Sequence, residues 1–388
     1  MATAPHPEQL PAPPAEAAAV SGKLARLIAT EIRRGGGWLP FARYMELALY
    51  APGLGYYMAG ARKLGRDGDF VTAPELSRLY GRTLARQLEQ LAGLGLNEIL
   101  EIGAGSGALA ADLLTELEQL GCAPERYLIL ELSPDLRDRS RDTLAARAPR
   151  LLERVAWLNR LPPSFTGVVI GNEVLDAMPV HVFERQGARI LELGVTLKEG
   201  SFDWAARPSG TAPAEPDASR FPADGYRSEI QYVARGFVRS VGDCLARGVV
   251  LLIDYGFPRR EYYHPERARG TLMCHYRHRA HDDAFFLPGL QDITSHLDFS
   301  AIAQAGREGG LDLIGYTSQA QFLVNCGITE ILAETPASDA AAYTPLAAQA
   351  HKLLSPAEMG ELFKVITFGK GVAAPLRGFT QGDRSHTL

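Results

Sequence analysis

The chain has 388 residues, with 40 Lys and Arg against 45 Asp and Glu, a net charge of −5, 46% hydrophobic residues and 22% charged ones. That balance excludes a disordered chain and a densely basic nucleic-acid binder, since the Arg residues are scattered from Arg26 to Arg384 without forming a patch. The longest apolar run, Val249-Val250-Leu251-Leu252-Ile253, is far short of the ~20 residues of a membrane-spanning helix, and the four cysteines contain no CxxC and suit a reducing cytoplasm.

Residues 1–20, rich in Pro and Ala with no Lys or Arg, read as a disordered tail without the marks of a secretory or Arg-rich transit leader. Leu24, Leu27, Ile28 and Ile32 then recur at helical spacing, and a second helix opens at Pro40 after Gly35-Gly36-Gly37. Gly68-Asp69-Phe70-Val71-Thr72-Ala73-Pro74-Glu75 follows, in which Thr72 and Glu75 have capping-box spacing and predict a helix over 73–91. Residues 21–95 thus form a helical lid segment.

From Asn97 short apolar runs alternate with helical patterns. Strands are predicted over 99–102, 127–130, 155–158, 168–170 and 249–253, and helices over 108–120, 134–146 and 228–245. Buried strands alternating with helices predict an α/β fold with a parallel sheet covered on both faces. Two insertions, at about 180–227 and 257–299, interrupt the pattern; the first alternates like an antiparallel β meander. Ser355 and Glu358 predict a last helix by capping-box spacing, and a closing strand covers 365–368. The domain spans 96–370, with 371–388 as a C-terminal tail.

Glu101-Ile102-Gly103-Ala104-Gly105-Ser106-Gly107 lies between a predicted strand and helix, where glycines permit a tight turn and a ligand's approach to bare backbone. The string also satisfies a dinucleotide fingerprint. Glu131 ends the next strand, where a carboxylate can accept both hydroxyls of a ribose, a role that NAD and S-adenosylmethionine share. Glu101 suits a cationic amino-acid end better than a pyrophosphate.

After the fourth strand comes Asn172-Glu173-Val174-Leu175-Asp176-Ala177-Met178-Pro179, on the side of the sheet that faces a ligand's reactive end. Carboxylates three residues apart can grip a planar guanidinium and stabilise the positive charge an attacking nitrogen acquires; a capping role for either is the alternative. An enzyme that methylates a nucleobase amine would want a proline and an aromatic after Asn172, and Glu173 and Val174 supply neither. Cys274, His275, His278, His281 and Asp282 look like metal ligands, but no helix or hairpin is predicted to converge them, so no metal site is assigned.

These segments, with Asp254-Tyr255-Gly256 and Gln291-Asp292-Ile293-Thr294-Ser295-His296-Leu297-Asp298-Phe299, together resemble the MidA-like family of class I S-adenosylmethionine-dependent methyltransferases over about residues 20–370. Its mitochondrial members are protein-arginine methyltransferases that assist assembly of respiratory complex I. The resemblance implies a Rossmann-like seven-stranded sheet whose last strand is antiparallel, with 311–314 and 365–368 as the last two strands. It implies S-adenosylmethionine as cofactor, with Gly103, Gly105 and Gly107 at the amino-acid end, Glu131 at the ribose, Asn159 at the adenine and Thr72, Pro74 and Glu75 lining the same cleft. Asn172, Glu173 and Asp176 would face the methyl group, with Glu173 and Asp176 catalytic. The implied partner is a protein substrate, a complex I subunit being the family's example, and the tail lacks a mitochondrial type of leader. A nicotinamide oxidoreductase and an assembly chaperone that keeps the cofactor without turnover are the rival readings.

Overall fold

The computed structural model describes residues 10–59, 72–208 and 217–388, and the chain divides into two compact units. The sheet unit comprises Val71–Val174, Phe237–Gly256 and Phe299–Leu388; the meander unit comprises Met1–Phe70, Leu175–Gly236 and Phe257–Asp298.

Continuous apolar runs, rather than alternating ones, build the central strands of the sheet unit, because helices cover both of their faces. Numbered along its path, these strands are β1 (Glu98–Ile102), β2 (Arg126–Leu130), β3 (Val155–Leu158), β4 (Phe165–Asn172), β5 (Leu245–Phe257), β6 (Asp312–Ser318) and β7 (Phe363–Lys370). They lie in the order β6-β7-β5-β4-β1-β2-β3. The five strands from β5 to β3 pair in parallel, and β7 is antiparallel to both β5 and β6. Seven strands lie on this path. Helices Arg78–Ala92, Ala108–Gln119 and Pro134–Arg147 send Leu84, Leu88, Leu109, Leu113 and Leu144 into one core with Ile99, Ile129, Val168 and Leu251. Each such burial is worth roughly 1.5–3 kcal/mol. The strand order reverses between β1 and β4, so the loops after these two strands flank the crevice where open α/β sheets hold ligands.

In the meander unit, strands His181–Gln186, Arg189–Lys198 and Ser201–Pro208 form the antiparallel meander, and Arg227–Ile230 pairs with the first of them. Helices Ala15–Arg34 and Phe41–Tyr50 bury Leu24, Ile28, Phe41, Tyr44 and Met45 against Val182, Leu193 and Val195 of those strands.

Several local expectations are corrected. The first helix begins at Ala15, inside the stretch read as a disordered tail. The helix predicted over 73–91 is two helices, Ala73–Leu76 and Arg78–Ala92, because Ser77 is extended and caps the second by accepting from Leu79 N at 3.2 Å. Residues 228–230 lie in a strand, and the helix there is Tyr232–Cys244. Ser355 ends helix Ala340–Leu354 instead of opening one, its carbonyl taking Glu358 N and Gly360 N in a turn. Residues 371–388 do not trail away: Leu376 is buried, and Arg377 N and Gly378 N donate to Gln90 Oε1 and Gln87 Oε1 on helix Arg78–Ala92 at 2.8 and 2.9 Å. Residues 274–281 do form a hairpin, with Cys274 opposite His281 and His275 opposite Ala280. Its turn places Arg277 and His278 at φ of 49° and 60°, so the glycine or asparagine that announces such a turn is missing.

Candidate functional site

β1 ends at Ile102, and the loop to helix Ala108–Gln119 turns on Gly103, Gly105 and Gly107, at φ of 67°, 54° and 80°. Any other L-residue is strained there. At two of the three the space is tight as well. A Cβ on Gly103 would lie 3.1 Å from Val174 Cγ2, and one on Gly107 would lie 2.9 Å from Ser140 Cα. The loop is thus bare backbone by necessity, leading into the amino end of a helix, where partial positive charge accumulates.

Two buried carboxylates sit beneath it. Glu131, just after β2, accepts from Gly105 N at 3.2 Å and Ser133 N at 2.9 Å. Burial raises its pKa, and those two amides oppose the shift. Glu101, on β1 and 2% exposed, accepts from the Tyr127 hydroxyl at 2.8 Å. Burial pushes it up to about 7, Tyr127 pulls it down and the charge of Glu131 adds to the rise. A cation arriving at Glu101 would therefore meet a group that gives up its proton readily near neutrality.

The short helix Ala73–Leu76 is tied to the loop through Glu75, which accepts from the Ser106 hydroxyl. Thr72 and Pro74, both half-buried, belong to the same turn; Thr72 makes no side-chain cap, so the capping box does not form. Gly68 to Val71 lie outside the described residues. A third group gathers at the end of β4. The Tyr80 hydroxyl donates to Asn172 Oδ1 at 2.5 Å, and Asn172 Nδ2 donates to Glu173 Oε1 at 3.0 Å. Glu173 sits at φ 52° with its amide on Ile253 O at 2.8 Å.

Not every expected residue joins these groups. Asn159 is exposed just past β3. Asp176 falls in the meander unit, where it is buried and its carbonyl accepts from Ser295 N at 3.0 Å. Around it, Tyr57 donates to Asp292 Oδ1 at 3.0 Å, Tyr50 donates to Ala177 O at 3.0 Å, and the two tyrosine rings stack at 5.5 Å. Burial, Asp292 and Asp176 hold the Tyr57 hydroxyl well above its ordinary pKa. Residue-by-residue reading missed Tyr57, Tyr80 and Tyr127, each of which has the signal of an ordinary apolar core position. Ser106 and Asp292 stood inside quoted motifs without an assigned part. Among the described residues no group of three His, Cys, Asp or Glu is placed to hold a metal ion, and no helix is long and apolar enough to cross a membrane.

Residues 79–317 match the model of a family described as S-adenosyl-L-methionine-dependent methyltransferases. A Burkholderia thailandensis protein crystallised with S-adenosyl-homocysteine superposes with a TM-score of 0.94 and 53% identity, covering 98% of this chain and all 100% of that one. A second crystal structure from the same organism gives a TM-score of 0.92 and 52% identity over 98% of this chain and 100% of the other. Mitochondrial protein arginine methyltransferase NDUFAF7 of Mus musculus is 29% identical over 366 residues, 84% of this chain and 80% of its own. The homologue of Drosophila melanogaster is 27% identical over 417 residues, 96% of this chain and 92% of its own.

Proposed function

Given that the chain belongs to this family of S-adenosyl-L-methionine-dependent methyltransferases, we propose that it methylates an arginine side chain of a protein, a respiratory complex I subunit being the first acceptor to test. The arginine acceptor draws on the relatives named protein arginine methyltransferases. The complex I subunit draws on the family resemblance of the motifs. Four free cysteines suit action in a reducing cytoplasm.

The residues present fit the cofactor. Gly107 leaves no room for a Cβ and one on Gly103 would crowd Val174, and Glu131 spends its carboxylate on Gly105 N and Ser133 N, amides that a ligand can replace. In this reading Gly103, Gly105 and Gly107 receive the amino-acid end, with Glu101 beneath them. Glu131 turns to the ribose, Asn159 to the adenine, and Thr72, Pro74, Glu75 and Asn172 close the same cleft. When bound, the cofactor supplies a methyl group on a sulfonium, which needs no metal to leave.

The chain's own part is positioning and charge. A guanidinium is protonated at any physiological pH, so a nitrogen that gains a methyl must also lose a proton. Glu173 would hold that cation, stabilise the charge that grows on it and accept the proton. The observation that carries this reading is Glu173, a carboxylate at the end of β4 kept at φ 52° and bonded to Asn172 at 3.0 Å. Comparing methylated residues by proteome-wide mass spectrometry in a deletion strain and its parent tests it. Loss of methylation at a defined arginine is expected; unchanged arginine methylation with loss at another residue type would reassign the acceptor.

A further inference from the structure

We propose that Tyr80 is a positioning residue for methyl transfer, holding Glu173 in place through the side-chain amide of Asn172. The inference rests on the reading of Glu173 given above. A carboxylate can only accept, so the Asn172 amide must turn its nitrogen toward Glu173, at 3.0 Å. Its oxygen is then left facing Tyr80, whose hydroxyl must donate, at 2.5 Å. Each link determines the direction of the next, and the chain runs one way from phenol to carboxylate.

The two ends of this chain are fixed independently. Tyr80 is fully buried in the first turn of helix Arg78–Ala92, whose start is set by the Ser77 cap, and the Ser77 hydroxyl is anchored in turn to Gln349 Oε1 at 2.7 Å. Glu173 holds a left-handed backbone conformation, φ 52°, that a non-glycine residue rarely adopts, secured by its amide on Ile253 O. Burial, with Glu173 and Asp254 nearby, keeps the phenol protonated far above neutral pH, so it remains a donor. A phenylalanine would fill the same space. The hydroxyl is what the packing does not require, and Asn172 is where it goes.

The test is a double-mutant cycle of Tyr80→Phe and Glu173→Gln in the full chain. It is read by single-turnover transfer of tritiated methyl from S-adenosyl-L-methionine to protein extract of a strain lacking the enzyme. Calorimetric cofactor titration and thermal melting run alongside. Tyr80→Phe should slow transfer roughly 10-fold and Glu173→Gln roughly 100-fold. The double variant should be no slower than Glu173→Gln, with cofactor affinity within about twofold throughout. An unchanged rate in Tyr80→Phe, or the same loss in both backgrounds, overturns the role of Tyr80 while leaving Glu173 standing. Full activity in Glu173→Gln overturns the reading of Glu173 and this inference with it. Should Tyr80→Phe melt too low to assay, Asn172→Asp removes the only N–H of the chain. It must then reproduce the slow transfer, and full activity in it overturns the proposal.

Discussion

Both units bury acids, and they satisfy them in different ways. In the sheet unit Glu131 leans on two turn amides, Gly105 N of the glycine loop at 3.2 Å and Ser133 N just after β2 at 2.9 Å, and Glu101 has the Tyr127 hydroxyl at 2.8 Å. In the meander unit Glu229, fully buried, takes the amide and the hydroxyl of Thr271, each at 2.8 Å, while Glu192 meets His181 Nδ1 at 2.7 Å across two paired strands. Amides of a turn can change partner without unfolding anything. Partners lodged in other strands and loops cannot, because their own backbones are fixed by the fold. An acid satisfied as Glu131 is remains available to a ligand, and acids satisfied as Glu229 and Glu192 are hold the protein together.

The sharpest way to break this comparison is Gly105→Val, which puts a branched side chain at φ 54° in the loop. Calorimetry on folded variant should find affinity for the cofactor and its demethylated product lowered by more than ~100-fold, since neither strain nor blocked approach can relax. Unaltered affinity would remove the loop from the site.

Glu229→Ala should act on the other unit in the opposite sense. Leaving the Thr271 donors unsatisfied in the interior costs about 2–3 kcal/mol of unfolding free energy, measurable by urea titration, with cofactor affinity preserved in whatever remains folded. Glu131→Ala should reverse that pattern, weakening the cofactor by about 1.5–3 kcal/mol in calorimetry and the fold by less. Equal loss of stability in both variants would erase the distinction between the units.

The smallest expected effect concerns Glu101, and its sign is opposite. Its carboxyl ionises near 4.5 in the unfolded chain but only at about 7 in the folded one. The native state therefore holds the extra proton between these values, and stability falls as pH rises through that window. Glu101→Gln keeps an acceptor for Tyr127 and cannot ionise. Without cofactor it should be more stable than the parent by about 1–2 kcal/mol at pH 8, a gain that shrinks toward zero below pH 5. Melts at the two pH values check this, and a constant difference would contradict the buried ionisation.

The sheet unit was the more legible of the two. Strands β1 to β5 and the helices between them follow from apolar runs and helical periodicity, signals that act over a few residues, and their observed bounds mostly extend the predicted ones by a residue or a few. Where reading failed, two local preferences competed. Thr72 with Glu75 spelled a capping box, yet Ser77, the fifth residue of the predicted helix, offered a better cap and freed Glu75 for Ser106. The hairpin at 273–281 gave no turn signal because Arg277 and His278 occupy left-handed conformations that sequence rules assign to glycine and asparagine.

By itself, then, the sequence determined the α/β class, the glycine loop with its two acids, and the family to which the ordered motifs belong, because each depends on residues close together in the chain. Only the tertiary structure decided that Tyr80 meets Asn172 across 92 positions, that Gln87 and Gln90 receive the C-terminal residues, and that the motif running from Asn172 to Pro179 is shared between two units. The first two are hydrogen bonds made by side chains whose local signals are those of ordinary core or surface residues. No periodicity encodes them, and they exist only once packing has brought distant backbones to a fixed separation.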